Sequence, residues 1–147
     1  KDSSRCGLVA YGAGTKMVLK NVTVKKCKSF GVWARDGAKL VATGCQFHRN
    51  GNGVVVADST TTVRLTNCTS HHNKYDGVRA FSGAVVDLMG EGTSVHDNER
   101  FGLSAYYRGT TINVYQPCVL NDMSHGNKGQ NIYMEYGGIV QQKDSKK

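Results

Sequence analysis

The chain has 147 residues, with 18 glycines, one proline and a formal net charge of +8. Its length suits one domain around one core, and without an apolar run of about 18 residues no membrane insertion is expected. The excess of 19 Lys and Arg over 11 Asp and Glu points either to an anionic partner or to nothing beyond solubility.

Along the chain the sequence divides into six units beginning at Gly7, Gly31, Gly53, Gly77, Gly102 and Asn131, at spacings of 24, 22, 24, 25 and 29 residues. A loose period in the twenties marks a stacked repeat rather than a globule. Each unit alternates apolar residues at the period of a strand. The first places Leu8, Ala10, Met17, Leu19, Val22 and Val24 inward, and the second Val32, Ala34, Leu40, Ala42, Cys45 and Phe47. The third offers Val54, Val56, Val63, Leu65, Cys68 and Ser70, and the fourth Val78, Ala80, Val86, Leu88 and Val95. The fifth has Leu103, Ala105, Ile112, Val114 and Cys118, and the sixth Ile132 and Met134 before a polar tail over 141–147.

Three short strands per unit, with no helical period between them, predict strands that pair with their equivalents one coil away at about 4.8 Å. The recurrent pattern is Gly-(Val/Leu)-x-Ala, a polar turn, two apolar alternations and an Asn-containing turn. On that pattern, from Gly7 to Val140, the chain resembles the right-handed parallel β-helix repeat family, the pectin-lyase-like architecture. The resemblance implies an all-β solenoid of about six coils with three parallel sheets, forming a single domain over 1–147. A chain that starts at Lys1 reads as part of a longer parent. Similar repeats occur in viral attachment and tail proteins, proteins of large algal viruses, polysaccharide-processing enzymes and F-box proteins. Likeness to viral β-helices implies a trimer.

The cysteines Cys6, Cys27, Cys45, Cys68 and Cys118 are odd in number and nowhere spaced CxxC. That argues for reduced, packed thiols and against a disulfide framework or a zinc site. A reduced intracellular compartment therefore stays open beside a virion surface or an extracellular setting.

Three constellations bear on function. A ladder of His-x-Asn runs through His48 and Asn50, His71 and Asn73, His96 and Asn98, and His125 and Asn127, with Lys26-Cys27-Lys28 at the equivalent corner of the first coil. Its asparagines are expected to take left-handed backbone and to bond up and down the stack. Its imidazoles read as corner side chains, and no metal or other cofactor is assigned to them. An outward stripe of Trp33, Arg35, Arg79, Phe81, Tyr106, Tyr107 and Tyr133 suits either sugar faces with acidic substituents or a subunit interface, with Val9 and Val55 favouring the interface.

Catalytic carboxylates are scattered. Polyuronate epimerases of the resembled fold carry a Tyr-Gly-Phe-Asp-Pro-His stretch, and the nearest text here, from His72 through Tyr75 and Asp76 to Gly77, lacks that order. His72, Tyr75 and Asp76 are thus only weak catalytic candidates, and turn residues are the simpler reading. Lysines crowd the first two coils without any groove-reading helix, so nucleic acid is not expected. The sequence points to a non-enzymatic structural or binding module that contacts acidic polysaccharide or its own copies. A polyuronate lyase or C5-epimerase is the alternative, and an interaction domain of an intracellular adaptor the second.

Overall fold

A computed structural model describes residues 6–145. The first coil contributes β1 (Cys6–Tyr11), β2 (Lys16–Lys20) and β3 (Thr23–Lys25), and the second β4 (Phe30–Arg35), β5 (Lys39–Thr43) and β6 (Gln46–His48). Next come β7 (Asn52–Ala57), β8 (Thr62–Thr66) and β9 (Thr69–His71), then β10 (Val78–Phe81), β11 (Val85–Met89) and β12 (Ser94–His96). The fifth coil has β13 (Phe101–Tyr106), β14 (Thr111–Tyr115), a short helix α1 (Leu120–Met123) and β15 (Ser124–His125). The chain closes with β16 (Gln130–Glu135) and β17 (Ile139–Lys143).

Equivalent strands pair in parallel, giving sheets ordered β1-β4-β7-β10-β13-β16, β2-β5-β8-β11-β14-β17 and β3-β6-β9-β12-β15. The expected solenoid of six turns and three parallel sheets is what the chain forms. Register keeps the predicted inward residues in columns, such as Val32, Val54, Val78 and Leu103 on the first sheet and Leu40, Val63, Val86 and Ile112 on the second. All eight are buried in one continuous core. Phe47 pairs with Ser70 one coil up, so a large ring faces a small side chain and the third-sheet column stays filled. The Ser70 hydroxyl donates to Gly77 O at 2.8 Å, which satisfies a polar group inside the core.

Cys27, Cys45, Cys68 and Cys118 are buried free thiols, and burial pushes the Cys68 thiol up to about 11. The side chain of Cys6 lies outside the described residues.

Three local expectations change. Cys118 is buried but precedes α1 instead of lying in a third strand, and the helix accounts for the long 29-residue unit. Residues Gln141, Gln142 and Lys143, read as the start of a polar tail, continue β17 opposite Asn113, Val114 and Tyr115. Backbone pairing needs no apolar side chain, so their polarity concealed the strand. Met134 lies in the column of Ala105 yet is 51% exposed, because no described coil stacks beyond it.

Candidate functional site

Outward residues of the first sheet form two adjacent columns. One holds Val9, Trp33, Val55, Arg79, Ser104 and Tyr133, the other Tyr11, Arg35, Ala57, Phe81, Tyr106 and Glu135. Six of the seven predicted stripe residues therefore share this face. Tyr107 does not: it leaves the strand with φ +77° and stacks on Tyr136 at the next corner, ring centroids 5.3 Å apart. Tyr107 directly follows outward Tyr106, so period-2 alternation does not assign it to this face, and its left-handed backbone turns it onto the corner.

Guanidinium groups lie on rings across the face. Arg35 Cζ is 4.6 Å from the Trp33 ring centroid and 5.1 Å from that of Tyr11, and Arg79 Cζ is 4.6 Å from Tyr106. Between these clusters Val55 and Ala57 are only 7% and 3% exposed, flanked by larger residues of the neighbouring coils. Val55 is thus not the exposed apolar group that the interface argument required.

The centre of the face is Asp76, expected at an ordinary turn but 0% exposed. From one coil up, Arg100 donates Nε–H to Oδ1 at 2.9 Å and an Nη2–H to Oδ2 at 3.2 Å. The Phe101 amide donates to Oδ1 at 3.2 Å, the Ser104 hydroxyl donates to Oδ2 at 2.8 Å, and Arg79 Nη1 lies 3.7 Å from Oδ2. A carboxylate whose oxygens are so enclosed by donors and shut off from solvent has no access to a substrate proton. It anchors two arginines instead. Burial and the Asp76 charge push the Tyr106 phenol up, and the bond to Asp76 raises Arg100.

Arg100 and Ser104 were missed in the sequence because they contact Asp76 across a full coil. The available signal was Ser104, a small polar residue in a column otherwise filled by Val, Trp, Arg and Tyr. Tyr75 sits beside this centre, its ring 5.3 Å from Arg100 Cζ. His72 lies on the neighbouring corner, and no hydrogen bond joins His72, Tyr75 and Asp76 as a catalytic set.

On that corner the imidazoles of His48, His71, His96 and His125 stack with centroids 5.0, 4.8 and 5.2 Å apart and planes within 7°. His72 meets His71 edge-on, the two Nδ1 atoms 2.6 Å apart, an arrangement that accommodates only one proton between them. Burial, then the neighbouring histidines, lowers His71 to about 4, and burial with Arg49 lowers His48. Asp97 bonds His96 Nδ1 at 2.8 Å and is lowered by it. Among the described residues no group of three His, Cys, Asp or Glu converges on a metal position.

The asparagines bond up and down the stack as expected, but they are not the residues with left-handed backbone. Left-handed backbone falls on the middle residue of each triplet, Arg49 (φ 57°), His72 (φ 55°), Asp97 (φ 55°) and Gly126 (φ 68°), while the asparagines turn inward. Asn73 Nδ2 donates to Asn98 Oδ1 at 2.9 Å, Asn98 to Asn127 at 2.8 Å and Asn127 to Asn131 at 3.0 Å. The equivalent triplet of the first coil is Lys25-Lys26-Cys27, one residue earlier than read from the sequence, because Lys25 pairs with His48.

A family model described as a right handed beta helix region matches residues 1–141. No curated protein and no solved structure matches the chain.

Proposed function

The chain belongs to the right-handed β-helix family, and on that scaffold we propose a non-enzymatic binding module whose first-sheet face receives an anionic glycan. The observation that carries this reading is the grip of fully buried Asp76 on Arg100 and Arg79. It sets guanidinium groups beside the rings of Tyr75, Phe81 and Tyr106 before any ligand arrives. Rings take the apolar faces of sugars, and pre-oriented guanidiniums take carboxylate or sulfate oxygens in pairs. A lyase or epimerase needs a group free to exchange protons, and Asp76 is committed to its donors.

Proton NMR of alginate, pectate and a sulfated glycan incubated with the protein tests the reading. The expected result is line broadening that salt reverses and that Arg79→Ala removes. New sugar resonances growing with time would overturn it in favour of turnover. Trp33, the single tryptophan, supplies a second readout by its fluorescence.

The competing reading is a trimer packed through the Trp33 and Tyr106 stripe. Burial of Val55 and Ala57 weighs against it, since no continuous apolar strip then runs along the face. Sedimentation velocity separates the two: a concentration-independent monomer leaves the glycan reading, and a trimer disrupted by Trp33→Asp replaces it.

A further inference from the structure

The corner between the third sheet and the first holds a cleft of about 530 Å³ lined by Lys26, Lys28, Arg49, Lys74 and Tyr75 over Gly51. Its origin is a deletion in the repeat. Asn50 is followed by the coil-starting glycine three positions later, whereas Asn73 and Asn98 are followed by theirs four positions later.

Backbone bonding places Lys28, Gly51, Lys74, Glu99 and Lys128 in one column, through Gly51 N to Cys27 O at 2.8 Å and Lys74 N to Asn50 O at 2.9 Å, and likewise above. Gly51 thus places no side chain in the column between two lysines about 10 Å apart, two coil spacings. A Cβ on Gly51 would collide with the carbonyl oxygens of Lys28 and Ser29, so the close approach of the coil below holds this position to glycine.

The lining contains four cationic side chains and no carboxylate. Among the described residues Lys26, Lys28 and Lys74 form no ion pair, and Arg49 spends one Nη1–H on His48 Nδ1 at 3.1 Å. Asp76, next to Tyr75, is committed to Arg100, and Asp97 and Glu99 line the adjoining cleft, which Arg49 also borders. Four like charges around a lining that holds no carboxylate repel one another, and a bound oxyanion relieves that repulsion. The Tyr75 ring, 39% exposed, forms a wall beside them with Lys74 Nζ 5.6 Å from its centroid.

We propose that this cleft binds a tetrahedral oxyanion, a sulfate or phosphate ester, carried on a sugar ring that rests against Tyr75. The site borders the Asp76-centred face at Tyr75, whose ring also lies under Arg100, but its cations are different residues, so the proposal does not rest on that face.

The test is a two-dimensional amide NMR titration of the whole chain with inorganic sulfate, a sulfated disaccharide, a hexose phosphate and the same sugars unsubstituted. The expected result is saturable shifts confined to residues 26–28, 49–51 and 74–75. Charged sugars should bind more tightly than inorganic sulfate, and the better of the two identifies the ester. The double variant Lys28→Ala/Lys74→Ala should weaken binding by about tenfold or more, and Lys28→Arg/Lys74→Arg should retain it. Arg79→Ala, which tests the sheet face, should leave this titration unchanged. Absence of saturation, equal binding of unsubstituted sugars, or an unaffected Lys28→Ala/Lys74→Ala variant would overturn the proposal.

Discussion

Arg100 grips Asp76 across one coil with two N–H donors, at 2.9 and 3.2 Å, and Asp76 has no exposed surface. Replacing the acid should therefore damage both stability and the face. Asp76→Ala strands the Phe101 amide, the Ser104 hydroxyl and two arginines. Breaking a buried pair costs about 3–5 kcal/mol, and the half-exposed arginine brings this to roughly 2–3. Urea unfolding should show that loss, and glycan broadening should weaken in the folded fraction. A variant that loses less than about 0.5 kcal/mol would mean the carboxylate is not the anchor of this face.

The asparagine ladder and the coil-starting glycines are coupled. A Cβ on Gly31 would lie 2.7 Å from Asn50 Nδ2, a position that real Cβ atoms do not occupy. Asn50→Ala should cost about 1–3 kcal/mol by unpairing the Cys27 amide and Val24 O, and Gly31→Ala should cost at least as much. The double variant should fall short of the sum, because removing the amide relieves one of the two clashes while Gly53 O stays 2.7 Å away. Strict additivity in denaturant unfolding would refute the coupling.

Acid should loosen the histidine corner. The folded-state value of His71, about 4, lies below its ordinary 6.5, so the unfolded chain binds the extra proton first. This contribution to stability is fully present above pH 6.5 and is lost as the pH falls through about 4. His48, lowered in the same direction, adds to the trend. Melting temperature should decline across that window, and His71→Gln should flatten the decline. An unchanged slope in the variant would assign the acid sensitivity elsewhere.

Thiol labelling should separate native from unfolded protein. Four of the five cysteines are buried, and burial holds Cys68 and Cys118 in the unreactive thiol form. A maleimide dye at pH 8 should therefore modify at most Cys6 in the native chain and all five thiols in denaturant. Rapid native labelling of Cys45 or Cys68, read by peptide mass, would contradict a closed core.

The repeat was legible because each coil must meet the same steric demands as the coils beside it. Alternation around Val32, Val54 and Val78 identified the inward columns without reference to any contact, and the His-x-Asn spacing located a corner. The placement of Asn50 and Asn73 inside that corner was not legible. Asparagine suits both left-handed backbone and a buried amide ladder, and only the neighbouring coils decide between them.

Sequence alone therefore determined the coil count, the three-sheet solenoid and most of the outward stripe, since these follow from a periodicity that local geometry enforces. Tertiary structure alone decided the ionic centre and the cleft. Asp76 meets Arg100 and Ser104 from the next coil, and the shortened turn after Gly51 becomes a cleft only when Lys28 and Lys74 stack on either side of Gly51. Both depend on vertical register, which brings together residues more than twenty positions apart through backbone hydrogen bonds that no single coil contains.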